Sequence, residues 1–243
     1  MEYQTRLETL QEFQQRTCGF TSSSLPSGSM ETNPGLSKKV DREGKFLEYQ
    51  GNTVVFDLPW KVKEKILALQ GELYRLCGEV LAERIEAATF HITLHDLVSG
   101  PPSVGLEQEI KRTEHAAVRA VNELSGDKGG IRMRSTFLFN MVNTSMVLGF
   151  EPGDQESCLK LMGYYEVFQR IVPLDYPLTP HVTVAYFRPG HISEGQVCSL
   201  KKAVDFAKFQ ETLETKLTGE MLEYQVFSDM NHYWKTPGGP ACL

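Results

Sequence analysis

Two four-residue runs in this chain share the pattern His-x-Thr-hydrophobic, in which the threonine stands two residues after the histidine. The first run is His91-Ile92-Thr93-Leu94 and the second is His181-Val182-Thr183-Val184. Both lie in stretches rich in β-branched and aromatic residues, which is typical of strands. Because residues i and i+2 of a strand point to the same face, each run presents one imidazole and one hydroxyl side by side.

Two such strands facing each other would place two imidazoles and two hydroxyls around one small volume. This set supplies a base, an acid and neutral hydrogen-bond donors, which acid–base chemistry on a phosphate ester requires. Histidine can fill either role because its unperturbed pKa is about 6.5. We therefore predict that His91 and His181 are catalytic and that Thr93 and Thr183 bind phosphate. The acid and the base are not assigned individually.

The elements around the two histidine strands also recur. A strand ends at Pro59, a helix is predicted over 60–84, and the first histidine strand follows at about 86–95. In the second half a strand ends at Pro152, a helix is predicted over 154–171, and the second histidine strand follows. Proline and histidine are 32 residues apart in the first copy (91 − 59) and 29 in the second (181 − 152). This recurrence indicates an internal duplication.

Further elements complete the predicted domain. A helix is expected over 104–124, strands over 131–140 and 144–151, a helix near 198–208, and strands near 220–227 and 232–234. Near the N-terminus, a short helix is expected within 1–17, and residues 20–37 are rich in Ser, Gly, Pro and Thr, which indicates a loop or disorder. We predict a partly flexible extension over 1–43. A single domain over 44–243 would contain two pseudo-repeats, about 44–140 and 141–243.

Composition excludes several classes of function. The chain has 243 residues, 41% of them hydrophobic, and a net charge of −6, which argues against a protein that holds long nucleic acid. A local basic pocket for a single phosphate remains compatible with this charge. No apolar run reaches membrane-spanning length and no signal peptide is recognisable, so we expect a soluble, cytoplasmic monomer. Five cysteines without C-x-x-C spacing predict no disulfide framework and no zinc site.

A metal site is the alternative use of the histidines. His91 and His95 are four residues apart and Asp96 follows, but such a pair shares a face on a helix, whereas this segment is predicted to be a strand. We therefore predict neither a metal nor any other cofactor.

Counting along each strand suggests further residues that could contact substrate. His95 shares the face of His91 by parity, although a solvated histidine at the strand edge is favoured. Phe187 shares the face of His181 and could stack on a base, whereas Tyr186 should point away. Arg188 could bind a phosphate or simply be exposed.

Three residues near the first strand of the repeat could line the cleft, namely Tyr49, Asn52 and Trp60. A tryptophan at the position of Trp60 is more often part of the core. The remaining histidines have no motif context and are expected to be structural or at the surface; they are His115, His191 and His232.

The duplicated His-x-Thr-hydrophobic motif resembles that of the two-histidine (2H) phosphoesterase superfamily, over about residues 44–235. That family includes RNA 2′,3′-cyclic phosphodiesterases, the so-called 2′-5′ RNA ligases and enzymes acting on ADP-ribose 1″,2″-cyclic phosphate. Residues 44–55 are similar to those of a bacterial and fungal branch of the family.

The resemblance implies an α+β fold of two duplicated βαββ-type units, with the histidines facing each other across a cleft between two antiparallel sheets. It also implies metal-independent catalysis on a small nucleotide or an RNA terminus. We predict a phosphodiesterase that hydrolyses a 2′,3′-cyclic phosphate or a related small cyclic nucleotide or ADP-ribose diester. The alternatives are 2′-5′ RNA ligation and a non-catalytic module that binds nucleotides or RNA.

Overall fold

Helices and strands alternate along most of the chain, in the order that the sequence predicts. The computed structural model describes residues 6–21, 25–208 and 210–235. The helices are α1 (Leu10–Thr21), α2 (Trp60–Cys77), α3 (Val104–Ser125), α4 (Gln155–Gln169) and α5 (Glu194–Lys208). The strands are β1 (Met30–Glu31), β2 (Gln50–Asp57), β3 (His91–Gly100), β4 (Gly130–Met141), β5 (Ser145–Pro152), β6 (His181–Tyr186), β7 (His191–Ile192), β8 (Glu214–Thr218), β9 (Leu222–Phe227) and β10 (Tyr233–Lys235).

The strands of the described part of the chain form two four-stranded antiparallel sheets and one short pair. The first sheet has the order β10-β9-β2-β3 and contains the first histidine strand, whereas the second has the order β6-β5-β4-β8 and contains the second. The boundary between the two pseudo-repeats near residue 140 stays a prediction, because each half contributes a strand to the sheet of the other half. Strand β4 pairs with β5 in the second sheet, and the chain returns at β9 and β10 to complete the first sheet. The partner strands are decided by long-range pairing, which a linear repeat does not reveal.

Most predicted elements are observed, but two boundaries move. Helix α2 ends at Cys77 rather than near residue 84, because a 3-10 turn over Gly78–Val80 follows it. The first histidine strand begins at His91, after a 3-10 turn over Ala87–Thr89, and extends to Gly100. Strand β8 was not predicted.

The segment before residue 44 is part of the domain, contrary to the predicted boundary. Met30 and Glu31 pair with β7, and the side chains of Leu36 and Val40 are buried in the main core. Phe13 of α1 is buried there as well. Between residues 25 and 40, the Ser, Gly and Pro residues mark turns between buried anchors rather than disorder. Residues 1–5 and 22–24, for which flexibility was predicted, lie outside the described residues, as does Cys242.

Each histidine strand contains a β-bulge at the fourth residue of its motif. In the first sheet Thr93 pairs with Val55 and His95 with Val54, so Leu94 is the extra residue. In the second sheet Thr183 and Ala185 pair with consecutive residues of β5, so Val184 is the extra residue. An extra residue reverses the alternation of side chains beyond it. The strand then presents positions i, i+2 and i+5 to one face.

The helices cover the faces of the sheets that turn away from the histidines. Helix α3 packs on β2, β3 and β9, and α4 packs on β3, β4 and β5. The ring of Phe56 on β2 stacks on Tyr164 of α4, with centroids 6.4 Å apart, so one apolar core joins both sheets. Among the described residues, no helix combines the length and apolarity needed to cross a membrane.

Asn52 anchors β2 to helix α3 and to a second bulge in β3. Its side-chain amide donates to Thr113 Oγ1 at 2.8 Å and to the Tyr224 hydroxyl at 3.0 Å. Its Oδ1 accepts from the backbone N–H of Val98 at 3.0 Å, next to Leu97, the extra residue of that bulge. The side chain is 1% exposed, so these bonds are shielded from water.

We expect Asn52→Ala to lower the free energy of unfolding by about 2–4 kcal/mol, because it leaves several buried polar groups without partners. Denaturant unfolding of the purified protein measures this change. Trp60→Ala is the control, since Trp60 is 56% exposed, and should cost less than about 1 kcal/mol. Equal losses in the two variants would contradict the buried role of Asn52.

Candidate functional site

The two histidines and the two threonines of the motifs line a single cavity of about 630 Å³. All four side chains are half-buried. The volume lies within the range of roughly 300–1,000 Å³ that is usual for small-molecule sites. Strands β3 and β6 come from different sheets and meet here, so the predicted juxtaposition of His91, Thr93, His181 and Thr183 is present. We call this space the central cavity.

Each imidazole is held by the backbone two residues before it. The Nδ1 N–H of His181 donates to the carbonyl oxygen of Thr179 at 2.7 Å. The ring of His91 is hydrogen-bonded to the backbone of Thr89 in the equivalent position. A neutral imidazole that donates through Nδ1 keeps Nε2 as an acceptor. This tautomer prepares His181 to accept a proton through Nε2.

Both imidazoles have a pKa below the ordinary histidine value of 6.5. The pKa of His91 is lowered to about 4, mainly by burial and to a smaller extent by the positive charges of His181 and Lys63, although the Thr89 backbone and Asp96 act to raise it. Burial also lowers the pKa of His181, against the opposing effects of the Thr179 carbonyl and Asp96. Both rings are therefore mainly neutral in the free protein at neutral pH.

The bulges contradict the predictions that assumed regular alternation of side chains along each histidine strand. His95 borders the central cavity but is not a solvated edge residue, because it lies beyond the bulge at Leu94 and is only 1% exposed. Its ring packs against Tyr165 of α4, with centroids 5.1 Å apart. Phe187 is fully buried rather than placed to stack on a base.

The residues at position i+5 of each motif also line the central cavity, which simple alternation does not predict. These are Asp96 in the first copy and Tyr186 in the second. The carboxylate of Asp96 accepts from the Tyr176 hydroxyl at 3.1 Å, and the side chain of Tyr186 is hydrogen-bonded to that of Thr183. Two consecutive apolar residues, Val184 and Ala185, interrupt the alternation of the second strand and are the one sequence signal for this change.

The other candidates from the sequence are not in the cavity wall. Arg188 donates from Nε to the carbonyl of Leu81 at 2.8 Å, so it supports the backbone rather than a phosphate. Asn52 faces helix α3, and Trp60 is exposed at the start of α2 rather than in the core. Tyr49 lies at the rim, where its hydroxyl is 3.3 Å from Ser99 Oγ of the cavity wall.

Several residues of the cavity wall were not predicted, and two of them come from distant parts of the chain. Lys39 reaches the wall from the N-terminal segment, and Tyr233 from the last described strand. The ring centroid of Tyr233 lies 5.2 Å from that of His91. Neither residue belongs to a local motif, because both are brought in by distant parts of the chain.

The remaining histidines are exposed, as predicted. His191 and His232 contact the carboxylates of Glu31 and Asp229, each at 2.7 Å, and His115 is exposed on α3. Over the described ranges, no group of three or more His, Cys, Asp or Glu side chains could hold a metal ion.

We expect three histidines to titrate below pH 6.5 in the free protein, because burial lowers the pKa values of His91, His95 and His181. His232 should titrate above 6.5, since its contact with Asp229 raises its pKa. Following the imidazole signals by NMR as a function of pH measures all four, and His232 serves as the internal control. A pKa above 6.5 for His91 or His181 would contradict the buried electrostatics of the cavity.

Comparison with solved structures identifies the fold. A conserved protein of unknown function, ATU0111 from Agrobacterium tumefaciens, is 17% identical, with a TM-score of 0.62 over 85% of this chain and 93% of that chain. TT0787 of Thermus thermophilus is 14% identical, with a TM-score of 0.46 over 77% of this chain and 95% of that chain. E. coli LigT in apo form is 15% identical, with a TM-score of 0.41 over 79% of this chain and 95% of that chain.

No protein-family model and no curated protein matches the sequence. The fold assignment depends on the Agrobacterium protein, whose similarity covers most of both chains. This chain therefore has the α+β fold of that protein, with a cavity between two antiparallel sheets, and the architecture that the duplicated His-x-Thr motif predicts is confirmed.

Proposed function

We propose that this protein is a metal-independent phosphodiesterase that hydrolyses a 2′,3′-cyclic phosphate or a related small cyclic nucleotide or ADP-ribose diester. One observation carries the proposal: two imidazoles and two threonine hydroxyls, from equivalent positions of two sheets, line the same cavity. Acid–base chemistry on a phosphate ester needs this combination of groups.

The reaction assigns one role to each group. One neutral imidazole takes a proton from water, and the water oxygen attacks phosphorus. The bond between phosphorus and one ribose oxygen breaks, and the second imidazole, as imidazolium, donates a proton to that oxygen. The product is a phosphate monoester beside a free hydroxyl. Thr93 and Thr183 donate hydrogen bonds to the non-bridging oxygens, where negative charge increases in the transition state.

Binding of an anionic substrate favours the protonated imidazole that the free cavity lacks. Burial keeps both imidazoles mainly neutral in the free protein, but the reaction needs one of them charged. A phosphodiester bound between them raises both pKa values, because an opposite charge nearby favours the protonated form. Asp96 acts in the same direction on both rings.

The substrate is proposed to be a small nucleotide or an RNA terminus. The net charge of −6 disfavours a long polyanion, and the central cavity is large enough for a small ligand. Ligation of 2′-5′ RNA linkages, or binding without turnover, would use the same residues and is distinguished by the products formed.

The first test is turnover, in EDTA, of 2′,3′-cyclic mononucleotides, ADP-ribose 1″,2″-cyclic phosphate, 3′,5′-cyclic nucleotides and 2′-5′-linked dinucleotides. Hydrolysis of one substrate class in EDTA supports the proposal and names that class. Reversible loss of activity in EDTA would overturn the metal-independent mechanism. Binding of these nucleotides without turnover of any would overturn the proposed hydrolysis in favour of a binding module.

We expect His91→Ala and His181→Ala each to lower kcat by at least about a thousandfold, because each removes one partner of the proton transfer. Thr93→Val and Thr183→Val should each cost about 10²-fold, since each removes one donor to the phosphate. Initial rates with a cyclic nucleotide measure these losses. His115→Ala, which alters an exposed histidine, is the control, and circular dichroism checks the fold. Retention of most activity in either cavity-histidine variant would exclude the mechanism.

The pH dependence of kcat/KM should be bell-shaped, with its maximum on the acid side of pH 6.5. The reacting complex must hold one neutral and one protonated imidazole, and because burial lowers both pKa values in the free protein, the required proton is taken up more readily at lower pH. Asp96→Asn removes a charge that raises both pKa values, so it should move the maximum to lower pH. A maximum above pH 7.5, or no shift in the variant, would contradict this assignment.

A further inference from the structure

We propose that Lys39, together with Tyr49 and Tyr186, forms a second anion-binding subsite in the central cavity, and that the preferred substrate carries a second phosphate besides the cyclic diester. The inference rests on the proposed function for the identity of the first phosphate. The position and the positive charge of Lys39 are the observations that support the second subsite.

Lys39 lies next to the proposed phosphate site without belonging to it. It follows the 3-10 turn Pro34–Lys38, and its side chain reaches the cavity wall. Its Nζ lies 4.9 Å from the ring centroid of Tyr49 and 5.9 Å from that of Tyr186. Because Tyr186 is itself hydrogen-bonded to Thr183, one tyrosine separates the ammonium from the threonine that would bind the reacting phosphate.

The ammonium of Lys39 is available to a ligand. In the described parts of the chain, no carboxylate oxygen lies within 4.0 Å of its Nζ. Arg16, the other lysine or arginine in the wall, is paired with Glu8 at 2.8 Å and donates to the Leu178 carbonyl at 3.0 Å. Lys39 therefore brings a half-buried positive charge whose contacts are aromatic faces, and such a charge is well suited to a phosphate.

The surrounding groups keep Lys39 protonated. Burial acts to lower its pKa, but the negative charges that Tyr186 and Tyr49 carry when ionised, together with the carboxylate of Asp96, outweigh burial and raise the pKa above its usual value. Asp96 exerts this effect from beyond ion-pair distance, and its carboxylate accepts the Tyr176 hydroxyl. The positive charge is thus maintained without being neutralised by direct contact.

Lys39 is also placed for a phosphate other than the reacting one. The pKa of His91 responds to the charges of Asp96, His181 and Lys63, and that of His181 responds to Asp96. Lys39 is not among these groups, and the contacts of its ammonium are with the rings of Tyr49 and Tyr186.

The 5′ oxygen of the ribose is the nearest position for a further phosphate in a 2′,3′-cyclic nucleotide. That phosphate is a monoester in a mononucleotide and a diester in an RNA terminus. Both present anionic oxygens to Lys39, so the shared chemistry is a 5′-phosphate on the cyclised ribose. A mononucleotide and an RNA terminus differ in the charge of this phosphate and in whether a further nucleotide is attached to it.

The test compares kcat/KM for adenosine 2′,3′-cyclic phosphate, its 5′-monophosphate derivative and the dinucleotide ApA 2′,3′-cyclic phosphate. We expect the wild type to prefer at least one 5′-phosphorylated substrate by about tenfold or more, the effect of one charge-assisted hydrogen bond. In Lys39→Met this ratio should fall towards one, whereas Lys39→Arg should retain most of it. Lys38→Met, at the exposed neighbouring lysine, should keep the wild-type ratio. The substrate with the larger ratio identifies the source.

A binding measurement separates this inference from the proposed function. Calorimetry compares adenosine 2′-monophosphate with adenosine 2′,5′-bisphosphate, for which turnover is not needed. A preference for the bisphosphate that disappears in Lys39→Met supports the subsite, even if no cyclic diester is hydrolysed. Equal affinities in the wild type, an unchanged preference in Lys39→Met, or no binding of either nucleotide overturns it. A loss of kcat/KM that is equal for all three substrates would show that Lys39 only packs on the tyrosines.

Discussion

Burial of one face of each histidine strand in a shared apolar core fixes the direction of the polar side chains on the other face. Ile92 and Leu94 are each 1% exposed, and Val182 and Val184 are fully buried. A slip of one residue in either strand would put these side chains into the cavity and the imidazoles into the core. The helices that cover the sheets therefore position the catalytic candidates, although they contribute none of the four motif residues.

The bulge at the fourth motif residue gives each strand a third position in the cavity. The two copies differ at that position, with Asp96 in one sheet and Tyr186 in the other. Tyr186 and Thr183 are hydrogen-bonded to each other, and Lys39 lies above the tyrosine ring. A duplicated scaffold thus holds identical His-x-Thr pairs beside different third residues, a carboxylate in one copy and a phenol in the other. Such asymmetry is what orients a substrate whose two ends differ in charge.

Basic side chains line the cavity of this acidic chain, beside the carboxylate of Asp96. The protein is acidic overall, yet two imidazoles and one ammonium surround the space where an anion would bind. Because burial keeps the imidazoles mainly neutral until an anion arrives, the positive charge of Lys39 is already present in the free protein. In the proposed function, Lys39 would therefore attract the anionic substrate, whereas His91 and His181 would carry out the proton transfers.

The sequence by itself determined the strands that carry His91 and His181, the repeated order of elements and the identity of the four motif residues. Those features are local, since they follow from period-two spacing, proline breaks and residue type. The tertiary structure decided that His95 and Phe187 are buried and that Asp96 and Tyr186 line the cavity, because a bulge depends on how a strand pairs with its neighbour. It also brought Lys39 and Tyr233 to the site from the two ends of the described chain, and such long-range packing leaves no mark in local spacing.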